Sequence, residues 1–114
     1  MMDRFKKADK QRLELIKNLI EDYFTGDVLL ENVPWEIESP LQALETVNEK
    51  DKQDIFNQWA ILEEIYAVML DQNQEKLQTK EQLLFNRALI KIKEIVNYLL
   101  SKYECIEYEC DDDY

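Results

Sequence analysis

Residues 51–71 read DKQDIFNQWAILEEIYAVMLD, and the spacing of their apolar members decides the fold. Ile55, Trp59, Leu62, Tyr66 and Met69 step by four, three, four and three, and Phe56, Ala60 and Ile65 widen the same face. That is the period of an α-helix burying one stripe, sustained over more residues than a strand usually runs. The helix starts near Asp51 and ends near Asp71, before the polar run Gln72-Asn73-Gln74. Such a stripe is stable only when other elements cover it.

Downstream, Thr79 and Gln82 have the spacing of a capping box. Phe85, Leu89, Ile92, Val96, Leu99 and Tyr103 then form a second spine, broadened by Leu84, Ala88, Ile95 and Leu100. This helix is expected to end near Tyr103, a length of roughly 35 Å at 1.5 Å per residue. Upstream, Ser39-Pro40-Leu41-Gln42 reads as a helix start. Ser39 suits the N-cap, Pro40 the first turn, and Gln42 can reach back to the cap amide. That helix is short, ending near Val47 or Asn48.

A first helix is expected from Asp3 to Thr25. Its stripe is Phe5, Ala8, Leu15, Leu19 and Tyr23, flanked by Leu13, Ile16, Ile20 and Phe24. Gly26, the only glycine, falls where a left-handed C-cap is needed. Between Asp27 and Glu38 lies an apparent connector of about twelve residues, long enough to suggest a role of its own. Val28-Leu29-Leu30 reads as a short extended piece, and Pro34 biases Val33 away from the helical region. Trp35 and Ile37 are expected to be pinned to the helices, with Trp35 either capping the core or serving as a contact residue.

One glycine and two prolines in 114 residues are too few for the turns of a sheet-rich domain. The expectation is therefore an all-α fold, a small antiparallel helical bundle of three long helices plus one short helix, with an acidic C-terminal tail. Residues 1–103 form the single helical domain. Residues 104–114 form an acidic tail that is flexible when free.

Charge is strongly segregated along this chain. The net charge is −11. Residues 1–17 carry six bases against three acids, and residues 73–102 carry the same ratio. Residues 18–72 carry thirteen acids against Lys50 and Lys52 alone, and the last twelve residues add six acids and no base. A surface selected only for solubility intersperses both signs. In the first helix Lys6, Lys7 and Lys10 precede Glu21 and Asp22, an order that opposes the helix dipole.

Several function classes find no support in this composition. There is no histidine for acid–base work near neutrality. One glycine cannot build a phosphate loop, and no serine or cysteine sits in a nucleophile motif. Glu63 and Glu64 are adjacent on a helix and do not face each other. Cys105 and Cys110 have neither zinc-knuckle nor redox-pair spacing and read as incidental, reduced thiols. The reading is of a protein that is not an enzyme and needs no metal or cofactor. No stretch is apolar enough to span a membrane or to act as a signal peptide, so a cytoplasmic location is expected. Direct binding of nucleic acid would require a positive surface, and the overall sign is wrong for it.

The acidic mid-section is the functional signal. Asp27, Glu31, Glu36, Glu38, Glu45, Glu49, Asp51 and Asp54 fall within 28 residues, with Trp35 among them. Tyr108 and the run Asp111, Asp112, Asp113 place a second aromatic–acidic group in the tail. Carboxylates spread over an exposed face can occupy a basic channel built for duplex nucleic acid, with fast, steered association. Aromatic residues among them supply anchors. The expected partner is thus a basic, nucleic-acid-binding protein that this chain inhibits. Anti-defence inhibitors of phages and mobile elements, anti-CRISPR proteins among them, share this size and charge. The likeness is one of composition, and no motif carries it. Two alternatives stay open: an immunity or antitoxin protein for a basic toxin, and a helical self-assembling subunit. A homodimer is compatible with each.

Overall fold

The first helix, α1 (Lys7–Thr25), stops where the only glycine stands. Gly26 has φ +91°. Its amide donates to the Tyr23 carbonyl at 3.1 Å, and the Asp27 amide donates to the Asp22 carbonyl at 2.8 Å. These two bonds form a Schellman motif, which only a left-handed residue closes without strain. A Cβ at Gly26 would meet nothing within 4 Å, so alanine there is opposed by backbone conformation alone. Gly26→Ala is expected to lower stability by about 1–2 kcal/mol, the cost of a left-handed L-residue. A urea titration monitored by circular dichroism measures it.

The structure, a computed structural model, describes residues 7–72 and 79–109. After α1 come a 3₁₀ turn (Leu30–Asn32), α2 (Val33–Ala43), α3 (Glu49–Asp71) and α4 (Thr79–Glu109). There is no strand among the described residues. The all-α bundle of three long helices and one short one is the architecture observed. In it α1 packs on α2 and α4, and α3 packs on α4 and α2, so α2 and α4 occupy opposite corners. Neighbours run antiparallel. Glu21 and Tyr23 of α1 meet Lys93 and then Gln82 and Asn86 of α4, in descending order.

The core follows the two spines. Ile55, Leu62 and Met69 of α3 are buried, as are Phe85, Leu89, Ile92, Val96 and Leu99 of α4. From α1 come Leu13, Ile16, Leu19 and Ile20, and from α2 Val33, Ile37 and Leu41. Each fully buried aliphatic side chain contributes about 1.5–3 kcal/mol. The stripe expected for α1 is therefore rotated. Leu13, Ile16 and Ile20 are the centre of the buried face, while Leu15 and Phe24 are exposed.

Several expectations need correction. The connector from Asp27 to Glu38 does not exist at that length, because α2 begins at Val33 and ends at Ala43. Leu30 lies in the 3₁₀ turn, and Leu29 before it keeps an extended conformation, with φ −75° and ψ 146°. Val33 is helical (φ −63°, ψ −53°) although a proline follows it. The pre-proline effect is a bias, and here burial of Val33 overrides it. Pro34 rather than Pro40 occupies the first turn, where the missing donor costs nothing. Pro40 lies inside α2, buried on its core side, and Ser39 is not a cap. Gln42 reaches Glu38 Oε2 at 3.0 Å instead of a cap amide.

Trp35 does not cap the core: it is 74% exposed. Trp59 takes that position, half-buried, donating from Nε1 to the Pro34 carbonyl at 2.8 Å. Thr79 is already helical, and the Gln82 amide donates to Tyr23 Oη at 2.7 Å and Asn86 Oδ1 at 3.0 Å. That polar cluster ties α1 to α4, and the Tyr23 ring packs on Phe85 at 5.8 Å. Burial raises the Tyr23 pKa. Finally, α4 continues past Tyr103 through Glu109, so the helix enters the stretch assigned to the tail.

α3 opens at Asn48, whose side chain accepts from the Asp51 amide at 2.9 Å. Glu49 and Asp51 stand in its first turn, where carboxylates favour the dipole.

Candidate functional site

The connection between α2 and α3 is held by a carboxylate that sequence reasoning treated only as a charge. Asp9 is fully buried. Its Oδ2 accepts from the Thr46 amide at 2.6 Å, the Thr46 hydroxyl at 2.5 Å and the Glu45 amide at 3.1 Å. Oδ1 accepts from Arg12 Nη1 at 2.9 Å and from the Glu45 amide at 3.1 Å. Burial by itself raises the pKa, but the bonds from Thr46, Glu45 and Arg12 outweigh it and hold the carboxyl below its usual range. On the other side of the same loop Lys52 Nζ donates to the Leu44 carbonyl at 2.8 Å. The sequence did carry a signal. Asp9, Leu13, Ile16 and Ile20 share the four–three–four spacing of the buried face.

With that loop fixed, α2 lies against α1 and leaves an open groove of about 830 Å³. Leu15, Leu19, Pro40 and Ala43 give it an apolar floor, and Trp35, Glu36 and Glu38 belong to its lining. Leu15 is 58% exposed, although its spacing had placed it on a core stripe. Trp35 projects because it is two residues from both Val33 and Ile37, the buried positions of α2. An exposed leucine and tryptophan beside carboxylates are the components of an anchoring surface.

The other acidic residues singled out from the sequence are distributed around α2. Asp27 and Glu31 are exposed just before it, and Thr25 Oγ1 donates to Asp27 Oδ2 at 3.2 Å. Glu45, exposed, follows α2. Acid therefore stands at both ends of a helix about 16 Å long. Glu49, Asp51 and Asp54 lie on the start of α3, with Asp54 paired to Lys50 at 3.1 Å. That pair is exposed and contributes little to stability. Lys50 and Lys52 are thus both engaged at the α3 start. Among the described residues, no ion pair involves Glu31, Glu36 or Glu38. Tyr108 stands on the helical backbone of α4, but its side chain lies outside what is described. Asp111, Asp112 and Asp113 also lie outside the described residues.

Among the described residues no group of three or more His, Cys, Asp or Glu could hold a metal ion. No helix among them is long and apolar enough to cross a membrane. Comparison with family models, with curated proteins and with solved structures finds no match to this chain.

Proposed function

We propose that this chain is a small inhibitory binding protein whose α1–α2 groove and surrounding carboxylates occupy the positive surface of a basic, nucleic-acid-binding protein. The setting that fits is anti-defence inhibition by a phage or mobile element, the role of anti-CRISPR proteins. One observation carries the reading. Trp35, 74% exposed, lines together with Glu36 and Glu38 a groove floored by Leu15, and Trp35 and these acids lie in a stretch from residue 18 to residue 49 that contains no base. A tryptophan anchor supplies affinity, and the uncompensated carboxylates supply steering toward positive potential. The work asked of this surface is recognition; the proposal assigns it no catalytic step.

The test is an affinity capture of the tagged protein from its host lysate, before and after nuclease treatment. The expected result is a basic nuclease, polymerase or repressor that survives nuclease treatment and is released at high salt. Purified, that target should lose its nucleic acid to this chain in a competition assay. A captured target that binds nucleic acid and this chain simultaneously, with unchanged affinity, overturns the inhibitor reading.

A further inference from the structure

The corner of the bundle opposite α2 carries a different surface, on the outer side of α4. Leu83, Arg87, Ile90 and Glu94 follow one another by four, three and four residues, with Tyr98 one turn on. This is a helical stripe pointing directly away from the buried line Phe85, Leu89, Ile92 and Val96. Its apolar members are strongly exposed: Leu83 65%, Ile90 47% and Tyr98 57%. Its charged members, Arg87 and Glu94, have no ion-pair partner among the described residues. Lys91 and Glu94 both border a small groove toward α3, lined also by Asp54 and Asn57.

The order of these residues is self-complementary. Arg87 and Glu94 stand equally far from the midpoint between Ile90 and Lys91, and so do Leu83 and Tyr98. A second α4 laid antiparallel, with a two-fold axis at that midpoint, brings each Arg87 opposite the other copy's Glu94. Leu83 then meets Tyr98, and the two Ile90 side chains approach each other beside the axis. An isologous contact requires such a patch, because the same surface must serve both copies. A parallel pairing in register would set like charge on like charge. From this geometry we infer that the outer face of α4 is a homodimer interface, and that its occupant is a second copy of this chain in antiparallel orientation. Because α2 and α4 stand at opposite corners, both α1–α2 grooves stay open in such a dimer. The dimer is then a bivalent ligand for a target with two basic sites.

Sedimentation velocity and light scattering test this with the whole chain at roughly 100 µM, a concentration that fills even a micromolar contact. The expected mass is twice the 13.8 kDa of one chain. Arg87→Glu and Glu94→Arg each place like charges opposite each other twice, and each should raise the dissociation constant by about tenfold or more. The double variant restores opposite signs and should regain the dimer. Ile90→Asp should give a monomer with or without salt. All these positions are exposed, so helix content should remain that of the wild type, while the thermal midpoint should lose only the concentration-dependent part that the dimer adds. A wild-type chain that stays at 13.8 kDa overturns the inference. So does a dimer that Arg87→Glu leaves intact, or a double variant that remains monomeric while fully helical.

Discussion

Asp9→Ala is expected to destabilise the bundle by about 3 kcal/mol or more at pH 7, the cost of leaving buried donors without an acceptor at ~1–3 kcal/mol each. The orphaned groups are the amides of Glu45 and Thr46, with the Thr46 hydroxyl and the Arg12 guanidinium beside them. Asp9→Asn separates charge from shape. Its amide must turn a donor toward one of two oxygens' sets of donors, so it should cost nearly as much as alanine. The effect also has a sign in pH. The Asp9 carboxyl titrates below its ordinary value in the folded protein. Between the two values the unfolded chain binds the extra proton, so this contribution is complete above about pH 4, the unfolded value, and is lost as pH falls through the folded one. Urea unfolding of wild type and Asp9→Ala at pH 7, 5 and 3 therefore gives a gap that is constant between the first two and narrower at the third. A gap independent of pH would mean that Asp9 acts by shape alone. Comparing the two proteins also removes the rest of the titration, because acid relieves the repulsion of a −11 surface in both.

The second large effect falls on target binding. Trp35→Ala should weaken the complex by roughly thirtyfold or more, the loss typical of a central aromatic anchor at about 2 kcal/mol or above. Trp35 is exposed and makes no core contact that folding needs, so the fold should survive the change. Glu36→Lys with Glu38→Lys should act differently, slowing association and reversing its salt dependence. Interferometry on the captured target separates the two, with dissociation faster for the tryptophan variant and association slower for the charge variant. Wild-type kinetics in both would remove the α1–α2 groove from the binding surface.

The helices that span the bundle were legible because a long stripe repeats its own evidence. Ile55 to Met69 and Phe85 to Leu99 sample four or more turns each, and one misplaced residue does not change their period. α2 was not legible because it spans only three turns and contains two prolines that each qualify as a first-turn residue. Local rules favoured Ser39-Pro40. The tertiary structure instead selects the register in which Val33, Ile37, Leu41 and Leu44 face the core, and Pro34 then begins the helix. The same shift turns Trp35 outward. The candidate site inherited this pattern. The acids could be named from composition, but the groove between them depends on how α1 is rotated, and Leu15 looked like a core residue until that rotation was set. Asp9 could be noticed as an acid on an apolar stripe, yet its partners lie 36 and 37 residues away and belong to a loop. No local spacing encodes that meeting.

The clasp on the α2–α3 loop also determines how that loop trades its protons with water. The amides of Glu45 and Thr46 belong to no helix, and neighbouring loop amides of this kind normally exchange through small local fluctuations. Here both are bonded to a side chain rooted in α1, so exposing them requires α1 to part from the loop. Their deuterium uptake therefore reports a cooperative separation of one helix from the rest, read at two positions where a backbone-only view would place the most pliable part of the chain.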